Sequence, residues 1–241
     1  MNTMLLAIAA RRAELFGGGY MTTYLLCIAA MILAMIASAG VKLTFKKYAG
    51  TSNIRGITAA EAAREILDAN GLTFVTIMHV GGNLTDHYDP RTNVVSLSDS
   101  VYSSTSLSAI AVAAHECGHA IQHDKGYLPI KIRTAIVPVV NLSSRLYLYV
   151  FLAGILFSLP LLVNIGIVLF FAVVLFQLVT LPVEFNASIR ALRTLEDMNI
   201  LVRDELPAAR KTLFAAAMTY VAALAVALTQ LLRLVSRSKR R

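Results

Sequence analysis

Cysteine is nearly missing from this chain: Cys27 and Cys117 are the two in 241 residues, so no disulfide framework can hold the fold. Acidic residues are also scarce, 14 against 22 Lys and Arg, for a net charge of +8. Charged residues make up 15% in all and apolar ones 57%, with mean hydropathy +0.66. That balance excludes an ordinary soluble domain and points to a membrane protein. The basic excess does not read as nucleic-acid binding, because basic and aromatic residues do not interleave along a soluble face. It stands instead beside apolar runs, as Lys42, Lys46 and Lys47 and as Arg237, Lys239, Arg240 and Arg241, where anionic lipid headgroups suit it. A secretory signal pattern is lacking too: Arg11 and Arg12 follow the short apolar run Met1–Ala10 instead of preceding it. No internal repeat or low-complexity tract occurs.

What is present is a series of charge-free runs around a polar middle. Residues 1–19 read as an N-terminal extension, and residues 20–41 as a first transmembrane helix that Lys42, Lys46 and Lys47 anchor on the cytoplasmic side. Within residues 42–145, Thr58-Ala-Ala-Glu61 is a capping box opening a helix that Asn70-Gly71 closes. Leu72–Val80 and Val94–Ser98 read as strands, separated by turn clusters at residues 81–83 and 89–93. A helix begins near residues 104–106 and closes at Gly126, after which Pro129 and Pro138 bound an amphipathic stretch carrying Lys131 and Arg133. Residues 146–181 are too long for one span, and Ser158-Leu-Pro160 with Asn164 breaks them into a transmembrane hairpin. Residues 182–211 are charged again. Residues 212–235 form a last apolar helix, spanning or membrane-associated, before the basic tail 236–241.

His115-Glu116-Cys117-Gly118-His119 lies in the helix before Gly126 and has the form H-E-x-x-H. Histidines four apart share one helix face, so both imidazoles can reach one Zn²⁺, while Glu116 leaves at another angle and can act as general base on a water there. The small residues Ala113, Ala114 and Gly118 would let a strand or substrate approach. A catalytic zinc takes a third protein ligand. The metzincin pattern would need a histidine at position 125, which is Lys125. Glu184 is the favoured third ligand; His123, His79, His87 and Cys117 are the alternatives on ligand chemistry. Its use requires residues 42–145 and 182–211 to share the cytoplasmic side.

The chain resembles the YugP-type membrane zinc metallopeptidases, and more distantly the HtpX-type and CAAX-prenyl endopeptidases. The resemblance covers roughly residues 20–235 and rests on residues 87–98 (HYDPRTNVVSLS), 113–123 (AAHECGHAIQH) and 176–188 (FQLVTLPVEFNAS). It implies a gluzincin-like arrangement with His115, His119 and Glu184 on Zn²⁺ and Glu116 as base. Two positions depart from the pattern: Asn186 replaces an expected aspartate, and Ser188 stands where related zincins carry an acid. Asn186, Ser188, His123 and His87 are therefore expected around the ligands or the substrate. The fold expected is an α-helical membrane protein with a small α+β zincin-like cytoplasmic domain. The function expected is an endopeptidase of the cytoplasmic membrane cutting membrane-proximal or misfolded segments, with strand Val94–Ser98 pairing to extended substrate. Its partners would be a protein or peptide substrate and the bilayer, with a second copy of the chain compatible with both. The competing reading is a non-catalytic membrane scaffold braced by a structural zinc.

Overall fold

The computed structural model describes residues 2–238, with side chains from Met21 onward. The side chains of the expected extension 1–19, and residues 239–241 of the expected tail, lie outside the described ones. Six helices and three strands follow in the order α1 (Asn2–Ala49), α2 (Ala59–Ala69), β1 (Thr76–Val80), β2 (His87–Asp89), β3 (Val94–Ser98), α3 (Leu107–Asp124), α4 (Leu128–Leu156), α5 (Pro160–Asp197) and α6 (Leu206–Ser238). Four helices, α1, α4, α5 and α6, are long and apolar enough to cross a membrane. With the small sheet, this makes a mostly helical membrane protein.

The chain forms two compact units. The first consists of the described parts of Met1–Met35, Ile136–Leu178 and Ala222–Arg241. Its hydrophobic core consists of Phe151, Val163, Phe170, Val174, Ala227 and Leu234. The turn at residues 157–159 reverses α4 into α5, with Ser158 at φ +55°. Gly154 lets the two helices close, since a Cβ there would come within 2.5 Å of the Val163 backbone nitrogen. Asn164, expected to help break the apolar run, lies inside α5.

The second unit, Ile36–Ala135 with Val179–Val221, holds the sheet and α3. Thr58 caps α2 through the Glu61 amide, and Glu61 returns the bond to the Thr58 amide. Ser106 caps α3 through the Ala109 amide, and Gly126 at φ +63° ends its last turn. Both ends thus follow the expected signals. α3 is buried around most of its circumference, against α2, the sheet and residues 191–213 of α5, the following turn and α6. Glu205 closes this unit, its two oxygens accepting the amides of Ile54 and Val202.

Three expectations change. The sheet order is β1-β3-β2, with β1 parallel and β2 antiparallel to β3. Strand Val94–Ser98 is therefore central, paired on both sides, and has no edge to offer a substrate. The unexpected strand is β2, three residues long and too short to show alternation. Pro138 does not bound a segment: α4 runs through it, as apolar helices in membranes tolerate. Likewise α5 continues through Pro182 to Asp197, so Glu184 stands within a helix.

A candidate metal centre on α3 and α5

One turn apart on α3, the His115 and His119 rings lie 4.7 Å between centroids and nearly perpendicular. The ligand atoms of His115, His119 and Glu184 all fall within 4.8 Å of one another. Glu184 Oε2 is 3.3 Å from His115 Nε2 and 3.6 Å from His119 Nε2. Two imidazole nitrogens and one carboxylate oxygen converging in this way form a donor set that zinc accepts. The fit is supported by what the other atoms of these groups do. Glu184 Oε1 turns away to accept from Arg133 Nη1 at 3.2 Å, leaving Oε2 to the histidines. His119 Nδ1 meets Gln122 Oε1 at 3.1 Å, and His115 Nδ1 meets Ser188 Oγ at 3.2 Å. Gln122 Oε1 accepts, so His119 Nδ1 donates and its Nε2 presents a lone pair; the Ser188 hydroxyl, able to accept from Nδ1, lets His115 do the same. Burial alone would disfavour a charge on His119, but the bond to Glu184 and the charges of Glu116 and Glu184 outweigh it and raise its pKa. The surroundings are net negative and suit a cation.

The helix-to-helix approach explains Gly118. A Cβ there would stand 2.7 Å from the Ala187 carbonyl oxygen. What comes close is therefore the backbone of α5, one turn past Glu184, and not a strand. Asn186 is one bond further out: Gln122 Nε2 donates to Asn186 Oδ1 at 3.0 Å and to the Val183 carbonyl at 2.8 Å, and Arg190 also donates to Asn186.

Glu116 is not in the donor set. It lines, with His115, a cavity of about 320 Å³ walled by α1 (Ser38, Val41, Phe45), Leu84 and Asp86 before β2, and α6 (Thr212, Ala216, Tyr220). His123 and His87 are exposed and outside the cluster. The His123 ring lies tilted beside that of Tyr88, 6.2 Å between centroids, and His87 Nδ1 faces the Thr85 carbonyl. His79 pairs with Asp99 on the surface. Cys117 faces Ala63 of α2 and is fully buried; burial first, then the Glu116 charge, push its thiol pKa up, so it is an inert packing residue. Three residues were not singled out for the site from sequence: Gln122, Arg133 and Tyr220. Gln122, three residues after His119, was open to an i,i+3 argument; nothing local marks the other two.

Comparison with known proteins identifies the family. Residues 23–239 match the family described as "Putative neutral zinc metallopeptidase". The chain is similar to the "Putative membrane protease YugP" of Bacillus subtilis (strain 168), 49% identical over 210 residues, which cover 87% of this chain and 93% of that protein. No solved structure is significantly similar. With the family match spanning nearly the whole chain and the relative at that identity, this chain belongs to the neutral zinc metallopeptidase family.

Proposed function

We propose that the protein is a zinc-dependent endopeptidase of the cytoplasmic membrane that cuts membrane-proximal or misfolded segments on the cytoplasmic side. The observation that carries this is the cavity. A structural zinc is enclosed by its ligands, whereas here His115 and the buried Glu116 both open on a space large enough for a substrate side chain. The scaffold reading leaves that space and the spare carboxylate without a use.

In this reading His115, His119 and Glu184 hold the zinc, which when bound polarises a carbonyl and acidifies water. Glu116 takes the proton from the attacking water and passes it to the nitrogen of the leaving amine. Tyr220, a hydroxyl donor on the α6 wall of the cavity beside Glu184 and Glu116, is placed to hydrogen-bond the carbonyl oxygen as charge develops on it. Arg133 neutralises the Glu184 oxygen that the metal does not use. Extended substrate pairs with the free outer edge of β2, because β3 is filled on both sides and β2 is the edge strand packed on α3. Asp86 pins the approach to that edge by accepting the Ser98 amide and hydroxyl. Orientation follows from Lys42, Lys46 and Lys47 at the end of the first span, which favour the cytoplasm.

Elemental analysis of detergent-purified protein should find one zinc per chain, and none in His115→Ala. The parent should cleave an unfolded protein, stop on chelation and recover with added zinc. Equal zinc in both proteins, or a zinc-loaded parent that cuts nothing, would overturn the proposal.

A further inference from the structure

A second cavity, about 440 Å³, lies on the same unit as the metal centre but shares no residue with the first. Thr44, Lys47 and Tyr48 of α1 line one side, and Arg210, Lys211, Phe214 and Ala215 of α6 line the other. On each helix these positions fall three to five residues apart or adjacent, as one face requires. Lys47, Arg210 and Lys211 are exposed, and among the described residues none of them has an ion pair. Lys47 Nζ has an aromatic neighbour, 5.6 Å from the Tyr48 ring centre. No carboxylate lines the cavity. Glu205, the acid nearest α6 in sequence, is occupied by the Ile54 and Val202 amides.

Charge placement along the two helices fixes the level of this groove. Residues 21–41 of α1 carry no charge, and neither do residues 212–232 of α6. Both helices are long enough to span a bilayer; Arg210 and Lys211 directly precede the charge-free stretch of α6, and Lys47 follows that of α1 within two turns, after Lys42 and Lys46. That is the headgroup level, and Phe214, 60% exposed, continues the groove toward the apolar side. An unpaired trio of cations above an exposed aromatic ring matches one ligand chemistry: a phosphate monoanion joined to acyl chains. We propose that this groove is a binding site for an anionic phospholipid. The phosphate lies among Lys47, Arg210 and Lys211, and an acyl chain lies along Phe214. Being on α1 and α6, whose neighbouring turns wall the proposed active-site cavity, the bound lipid would brace those walls.

The chain contains no tryptophan, so one introduced residue reports alone. Phe214→Trp protein is reconstituted in phosphatidylcholine vesicles, with either brominated phosphatidylglycerol or brominated phosphatidylcholine as quencher. The anionic lipid should bind with roughly 10–100-fold preference, given about 1 kcal/mol per basic residue at a membrane surface. Lys47→Gln, Arg210→Gln and Lys211→Gln together should abolish the preference, and all three positions are exposed, so the fold is retained. Leu161→Trp, in a charge-free stretch of α5, should show none. Tyr48→Trp is a second reporter on the opposite wall and should give the same result as Phe214→Trp. Equal quenching by both lipids at Phe214→Trp and Tyr48→Trp, or a preference that survives the triple substitution, would overturn the site. Neither readout depends on zinc or on cleavage.

Discussion

The two units bury different things. Among the described residues, Ser143 is the one buried polar side chain in the unit containing residues 136–178. The other unit buries Asn53, Ser98, Ser106, Ser108, Glu116, His119, Gln122, Thr180, Glu184, Ser188, Glu205 and Thr212. An apolar core holds helices together by packing alone, and substitutions in it change stability. A polar core requires each group to find its partner, so a substitution also changes the groups that partner was holding. The polar unit is where chemistry can be positioned, and the two units should respond differently to matched changes.

The largest expected effect tests the polar unit at the cavity. Glu116→Gln keeps the side chain's shape and removes its ability to accept a proton, so kcat should fall about 10²–10⁴-fold. Zinc content should stay at the parent level, because Glu116 is outside the donor set. Loss of zinc together with activity would instead make Glu116 a ligand.

A matched pair of glycines sharpens the comparison. Gly118→Ala drives a methyl group against the Ala187 carbonyl, and Gly154→Ala drives one against the Val163 nitrogen; both obstacles are backbone. Each should cost about 1–3 kcal/mol in stability by overpacking. Only Gly118→Ala pushes Glu184's helix away from His115 and His119, so only it should weaken zinc binding. Thermal unfolding and chelator competition on both variants separate the two effects, and equal zinc affinity would break the distinction.

How much of this was readable in advance follows from how local each signal is. The histidine pair is fixed by one helical turn, and Ser106, Thr58 and Gly126 act within four residues of their targets. Glu184 lies 69 residues from His115 and was reached through ligand chemistry and the family resemblance, with no local signal joining the two. Arg133 carried no local mark beyond its amphipathic stretch, since its role exists only because α4 folds back after Gly126 toward α5. The strand count failed at β2 because three residues cannot show a period of two. Pro138 misled because proline stops a helix reliably in water and less so in apolar surroundings.

The partners of the two histidines differ in a measurable way. Gln122 is fully buried and joins His119 to Val183 and Asn186, whereas Ser188 makes a single bond to His115. Groups that orient metal ligands are worth about 10–100-fold in affinity. Gln122→Ala should fall at the upper end and Ser188→Ala at the lower, by chelator competition. The reverse order would mean that the carbonyl and Asn186 contacts add nothing.

The smallest expected effect concerns two carboxylates that flank β2 and β3 and respond to pH in opposite directions. Asp86 is raised above its ordinary value, chiefly by burial, with the Ser98 amide and hydroxyl opposing. Asp99 is exposed and lowered, first by the Gly82 amide and then by His79. For Asp86 the folded state favours the proton, so its contribution is fully present below the ordinary aspartate value of about 3.9 and is lost as pH rises through the raised value. For Asp99 the folded state favours the carboxylate, so its contribution is present above about 3.9 and is lost as pH falls through the lowered value. Asp86→Asn is neutral throughout and keeps one acceptor for the Ser98 amide. Its midpoint of thermal unfolding should gain on the parent's as pH rises from about 4. Asp99→Asn should lose its deficit relative to the parent as pH falls below about 4, because the parent's own advantage disappears there. Unfolding midpoints measured across that range for the three proteins give two difference curves. Curves that slope the same way would show that Asp86 is solvated like Asp99 and does not pin the edge of the cavity from a half-buried position.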